Sequence, residues 1–200
     1  MSIIAASTEA TAITISSIFY FILKNPRCYA KLKEELSTLP SSSPITFNQA
    51  QSLPYLNACI NESMRLHVTE RFPRGREVPK GGIKICNHFV PAGTTVSVYV
   101  DIAHHRKEIF GEDVDVFRPE RWLENEENAS RMQATLLSFG SGKFGYLGKN
   151  LSRLEVLKFV PSVFKAFDVM HKDRDWTLVN GPFAEHENVV DMTHETTFSF

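Results

Sequence analysis

Cysteine is scarce in this chain. Cys28, Cys59 and Cys86 are the only three, odd in number and far apart, which excludes a disulfide framework and a zinc-ligand spacing and leaves reduced, mostly buried thiols as the reading. An excess of either charge is also missing. Lys+Arg 22 against Asp+Glu 23 gives a net charge of −1, which removes nucleic acid from the expected partners because that role favours a basic surface. No secretory leader heads the sequence. A long unbroken apolar run is lacking too. The stretch "IIAASTEATAITISSIFYFIL", Ile3 to Leu23, has the length to raise a transmembrane question, but Glu9 and several Ser and Thr interrupt it. It reads as a buried helix of a globular core, one that starts at Met1 without cap or leader, as in a chain missing its front. What is present is ordinary: 42% hydrophobic and 22% charged residues place the chain among folded domains rather than disordered ones, with length enough for one core.

Asn25-Pro26 closes the first helix and opens a second, Asn as cap and Pro in the first turn. Tyr29, Leu32, Leu36 and Leu39 then recur at helical spacing. "LPSSSPIT", Leu39 to Thr46, is a loop by composition. Leu56, Cys59, Ile60, Met64 and His67 lie on one stripe and predict a third helix. The period changes at residue 83, where "GGIKICNHFVPAGTTVSVYV" reads as two short strands around a turn, with Val96, Val98 and Val100 alternating. A long, weakly patterned meander runs from Asp101 to Gln133, and loops of that length inside a compact domain usually have a function. Leu151, Leu154, Leu157, Val160, Phe164 and Phe167 mark a last helix kinked at Pro161. The tail beyond it reads as returning edge strands.

Two constellations carry chemistry. In "FGSGKFGYLGKN", Phe139 to Asn150, Gly140, Gly142, Gly145 and Gly148 crowd one loop ahead of an amphipathic helix, a density that lets backbone pass close to something bulky or take positive φ. Glu62 and Arg65, three apart on the third helix, project from one face. Alone they read as a solvated pair contributing under about 1 kcal/mol. "FRPERW", Phe117 to Trp122, supplies Arg121 from a proline-bearing aromatic loop, and one carboxylate bridging two guanidiniums makes a planar connector that fixes geometry more surely than it adds stability.

Taken in order, Glu62-x-x-Arg65, "FVPAGT", "AHHRKEIFGEDVDVFRPERWL" and "FGSGKFGYLGKN" before a helix resemble the C-terminal part of a cytochrome P450. "VPKGGIKICNHFVPAGT" resembles fungal members of the pisatin-demethylase type. The resemblance runs from about Ala5 to Asp168. It implies a mainly α fold with a small β component, the proximal part of that family's fold, as one partial domain over residues 1–200 whose N-terminal part is absent. It implies a haem cofactor with no other metal, oxidation of a small lipophilic molecule with dioxygen, and an NADPH-dependent reductase as partner. Full-length members sit on the cytosolic face of the endoplasmic reticulum membrane; this chain alone has no clear anchor and is expected in the cytoplasm.

Carried over by residue, the resemblance makes Glu62, Arg65 and Arg121 a structural triad pinning the meander beneath the haem. Arg76 falls where a guanidinium meets a propionate. Val68, Thr69 and Phe72 edge the substrate pocket. Phe139, Gly140, Gly142, Lys143 and Gly148 belong to the haem-binding loop. His104 and His105 align with a histidine of structural role, a reading that precedes metal binding by them.

The departures are as informative. The position of the family's axial cysteine is Tyr146, and none of the three cysteines lies in that loop. The loop arginine is Phe144, with Lys143 beside it. In "ASTEAT", Ala6 to Thr11, Glu9 keeps the acid of the oxygen-activating segment, Ala10 replaces its threonine and Thr11 retains the next one. A cysteine thiolate donates electron density to iron and favours O–O cleavage, whereas a tyrosinate is a harder oxygen donor on a longer, rigid arm. Loss of the hydroxyl at Ala10 weakens proton delivery, where general-acid help is typically worth ~10²–10⁴-fold. Tyr146 reads first as a packed aromatic and second as a ligand. The expectation is a haem-dependent monooxygenase family member that is inactive as written, the alternatives being a non-catalytic remnant or a Tyr-ligated haem-binding module.

Overall fold

The computed structural model describes residues 3–40, 44–70 and 73–170, with side chains described from Glu9 onward apart from that of Phe144. The described chain is mainly helical: α1 (Ile3–Lys24), α2 (Pro26–Ser37), α3 (Phe47–Gln51), α4 (Pro54–Leu66), α5 (Val100–His104), α6 (Lys107–Phe110), α7 (Glu126–Thr135) and α8 (Lys149–Ala166). Strands are few and short: β1 (Arg76–Glu77), β2 (Ile83–Ile85), β3 (His88–Val90) and β4 (Thr95–Val96). Phe72 and the expected tail strands lie outside the described residues.

The core follows helical periodicity. Ile18 and Ile22 of α1, Leu32 and Leu36 of α2, Leu56 of α4, and Leu157, Val160 and Phe164 of α8 are all fully or almost fully buried in one cluster. α1 packs on α2, α4 and α8, and α2 on α4 and α8, so these four long helices carry most of the apolar burial. A satellite cluster of Ala58, Phe110, Val114, Trp122 and Met132 joins the other side of α4 to the meander.

Several expectations are corrected by local physics. Asn25 stands at the N-cap of α2 but makes no side-chain cap bond; its Nδ2 donates back to the Phe21 carbonyl at 2.7 Å, serving the end of α1 instead. α3 was hidden in sequence by its length, although Thr46 and Gln49 form a full capping box there. The run Val96–Val100 is not a strand: only Thr95–Val96 pairs, antiparallel with β1, and Val100 already begins α5. β2 and β3 form a hairpin in register Ile83↔Val90, Lys84↔Phe89 and Ile85↔His88, turned by Cys86 (φ 47) and Asn87 (φ 67). Two successive positive φ values are what a two-residue hairpin turn demands, and they leave Cys86 exposed while Cys28 and Cys59 are buried. The meander is more ordered than its pattern predicts. It contains α5, α6, a 3-10 turn over Pro119–Trp122, and α7, capped by the Asn125 side chain accepting from the Asn128 N–H at 3.0 Å.

α8 runs through Pro161, which is buried with Val156, Leu157 and Val160. Its inward face is narrower than the leucine spacing suggests. Leu151 and Leu154 are 58% and 41% exposed, and Leu147 just before the helix is 97% exposed, so the start of α8 carries apolar side chains facing outward. None of the described large apolar side chains of α1 is that open.

One tie between helices is unusual in form. Leu53 occupies the N-cap of α4 and offers no side-chain acceptor. The free backbone N–H groups of Tyr55 and Leu56 instead donate to the Glu35 carboxylate of α2, at 2.7 and 2.8 Å. A neighbouring helix thus caps α4 in trans, with the negative charge at the positive end of the helix dipole. Glu35→Ala is expected to lower unfolding free energy by about 1–2 kcal/mol in urea titration; an unchanged midpoint would show that water caps α4 equally well.

Candidate functional site

Glu62, Arg65 and Arg121 are brought together in the interior, Glu62 and Arg65 at 0% exposure and Arg121 at 3%. The Arg65 guanidinium meets the Glu62 carboxylate side-on, Nε donating to Oε2 at 3.0 Å and Nη2 to Oε1 at 2.9 Å. Arg121 adds Nε to Oε1 at 3.0 Å. The Trp122 indole N–H donates to Oε2 at 2.9 Å and the Arg118 backbone N–H to Oε1 at 3.1 Å. Glu62 therefore accepts five N–H donors while fully desolvated. Such saturation offsets the cost of taking a carboxylate's oxygens out of water.

Two cations on one anion leave an imbalance, and Asp113 offsets it. Its carboxylate accepts from Arg121 Nη1 at 3.0 Å and pairs with Arg118 Nε at 2.7 Å. Partial burial pushes the Asp113 carboxyl up, but the Arg121 and Arg118 guanidiniums outweigh it and hold it below the usual carboxylate range. Its contribution is present at neutral pH and is lost as pH falls through that lowered value. The rest of Arg121 is spent on backbone: Nη2 donates to the carbonyls of Asp113 and Val116 at 2.9 and 3.1 Å, and Nη1 to that of Phe110. One side chain thereby fixes three carbonyls of the meander.

The glycine loop lies next to this cluster. Ser138 Oγ donates to the Met64 carbonyl of α4 at 3.1 Å. The Leu137 N–H donates to His104 Nε2 at 2.8 Å, and His104 Nδ1 lies 3.1 Å from the Arg65 carbonyl. Within the loop, the N–H of Gly140 donates to Leu137, that of Gly145 to Gly142 and that of Tyr146 to Phe139. Gly140 (φ 68) and Gly142 (φ 62) sit in the left-handed region that favours glycine.

The Tyr146 ring lies nearly parallel to that of Phe139, centroids 6.4 Å apart and planes at 12°. It also rests against Gly148, where an added Cβ would come within 2.7 Å of two ring carbons. Tyr146 remains 39% exposed. Lys143 is exposed, and Lys149 Nζ stands 6.0 Å over the Phe139 ring.

The remaining predicted positions are dispersed. Glu9 is exposed and Ala10 half-buried. Thr11 is buried, its hydroxyl 3.1 Å from that of Ser152 on α8. Thr14 donates to the Ala10 carbonyl at 2.9 Å and meets the Thr69 hydroxyl at 3.0 Å. Val68 is buried, Thr69 half-buried, and Arg76 exposed in β1 with Nη1 donating to the Gly75 carbonyl at 3.1 Å. Among the described residues, no group of three or more His, Cys, Asp or Glu is placed to hold a metal ion. Trp122 and Asp113 were not read from sequence as part of the cluster. The need of a buried indole N–H for an acceptor was a usable hint for the first; nothing local pointed to the second.

A buried carboxylate clamping two arginines, next to a glycine loop that opens onto a long helix, is the arrangement that the resemblance of the motifs to a cytochrome P450 leads one to expect. The family model described as cytochrome P450 matches residues 1–190, and the chain belongs to that family of haem-dependent monooxygenases. It is 43% identical over 175 residues to a pisatin demethylase of Fusarium vanettenii, covering 86% of this chain and 34% of that protein. It is 39% identical over 183 residues to the cytochrome P450 monooxygenase cicH of Emericella nidulans, covering 88% and 37%. With the cytochrome P450 monooxygenase ACRTS1 of Alternaria alternata it shares 35% over 192 residues, covering 94% and 51%. The chain thus spans about a third to a half of the length of these relatives.

Removing the central anion leaves two buried guanidiniums facing each other. Glu62→Ala is expected to cost about 3–5 kcal/mol, read as a large fall in the urea midpoint or as failure to fold. A loss below about 1 kcal/mol would mean that the cluster is hydrated in solution.

Proposed function

We propose that this chain is the proximal part of a cytochrome P450 monooxygenase fold which, carrying tyrosine at position 146, does not form a thiolate-ligated haem centre and is non-catalytic as written. The observation that carries this reading is the Phe139–Tyr146 stack over Gly148. The phenol lies along its own loop against Phe139 and Gly148, at the position where the resemblance expects a cysteine thiolate. No sulfur lies between residues 139 and 150, and the three cysteines sit on α2, α4 and the hairpin turn. The donor set present in this loop does not fit a thiolate-held haem.

The segment aligned with oxygen activation supports the same reading. Ala10 offers no hydroxyl, and that of Thr11 is engaged with Ser152. For the longer relatives, oxidation of a small lipophilic substrate with electrons from a reductase at the endoplasmic reticulum remains the family expectation. In this chain no described helix is long and apolar enough to cross a membrane.

The exposure of Tyr146 favours one second reading, a haem held by tyrosinate. Both are tested by adding haem to the purified chain and recording the ferrous carbon-monoxide spectrum. The expected result is no thiolate-type Soret band, with any haem uptake unchanged in Tyr146→Phe. A thiolate-type band would overturn the proposal, and uptake abolished by Tyr146→Phe would favour the tyrosinate reading.

A further inference from the structure

His104 is the side chain through which the arginine cluster reaches the glycine loop. It is fully buried, and both ring nitrogens face backbone groups of fixed polarity. The Leu137 N–H can only donate, so Nε2, at 2.8 Å, must be the unprotonated nitrogen. The Arg65 carbonyl can only accept, so Nδ1, at 3.1 Å, must carry the hydrogen. The tautomer is therefore dictated by the fold. The link is returned in the other direction by Arg65 Nη1, which donates to the carbonyl of His104 itself at 3.1 Å. Glu62, Arg65, His104 and Leu137 form one continuous hydrogen-bonded path, and Leu137 is the residue at which the chain enters the loop of residues 139–150.

We propose that His104 is a positioning residue for this loop: as the neutral Nδ1–H imidazole it sets where Leu137 stands and thus where the chain leaving α7 enters the loop, and protonation at Nε2 releases it. A second N–H at Nε2 would point at the N–H of Leu137, replacing an attraction with a repulsion. It would also place a cation in the interior beside the Arg65 guanidinium of α4; on its own helix α5 the charged or titratable neighbours are Asp101, with a buried carboxylate oxygen, and His105, the facing residues 136–138 contribute only Leu, Leu and Ser, and Glu62, the anion paired with Arg65, is already saturated by its own donors.

Burial first, with the charges of Arg65 and His105 adding and the Arg65 carbonyl opposing, brings the imidazole from 6.5 down to about 4. The sign follows. The unfolded or released histidine takes up its proton near 6.5, the docked one only near 4, so the tie is at full strength above the first value and is lost progressively as pH falls towards the second.

The inference rests on reading residues 139–150 as the family's proximal loop, but its test uses no haem, so it fails or succeeds apart from the ligand question. Amide hydrogen exchange of Leu137 and residues 139–148, corrected for intrinsic rates, is followed from neutral pH towards pH 4 alongside histidine ¹⁵N spectra. Opening is expected to grow up to about tenfold per pH unit in the wild type, with His104 seen as the Nδ1–H tautomer. His104→Gln, whose amide can donate and accept at the same two points, should keep the loop protected and abolish the pH dependence. His104→Leu should leave the loop open at all pH values, and if it does not fold, the glutamine variant still decides. An Nε2–H tautomer, a pH-independent wild type, or a glutamine variant that follows the wild-type profile would each overturn the proposal.

Discussion

Five N–H groups converge on the fully buried Glu62 carboxylate, and the meander has its shape because of that convergence. The anion draws in Arg65 from its own helix and Arg121, Trp122 and Arg118 from a segment more than fifty residues away. Arg121 then turns outward and organises three carbonyls. An irregular chain with little apolar periodicity cannot order itself by burial alone. Here a saturated ion cluster supplies the direction that a helix stripe or strand ladder would give elsewhere.

From that cluster order passes to the loop by backbone rather than by charge. Arg65 and His104 exchange bonds through each other's carbonyls, His104 holds Leu137, and Ser138 holds Met64. The loop entrance is thus positioned before any ligand is considered. The loop itself is closed by internal N–H to carbonyl bonds and by Tyr146 lying on Phe139. A chain of the P450 family thus carries in this loop an aromatic stack of Tyr146 on Phe139, and family membership by itself does not fix what the loop does.

The legible part of the fold was its periodic part. The stripes on α2 and α4 could be drawn from residue spacing, because burial on one face leaves a mark at a fixed interval, whereas of the two strands expected over residues 81–100 only the turn to extended structure near residue 83 was legible. The arginine triad was legible only through the order of motifs, since an i, i+3 pair looks the same whether solvated or buried. The meander was unreadable as structure. Its short helices are held by Arg121, the Asn125 cap and the Phe110–Trp122 contact, and none of these imposes a period on the sequence. Leu151 and Leu154 misled for the converse reason: they have core spacing, yet they face outward where no described element covers them.

Composition and spacing by themselves determined several helices and a change of period near residue 83, a buried first helix, a glycine-dense loop ahead of a last helix, and the absence of sulfur from that loop. These depend on which residues are present and how far apart they stand. Tertiary structure alone decided that Glu62 is a fully desolvated hub, that α4 takes its cap from Glu35 of α2, that His104 carries its hydrogen on Nδ1, and that the Tyr146 ring lies along its own loop. Each of these is set by the polarity and proximity of groups distant in sequence, and only the fold brings them within hydrogen-bonding reach.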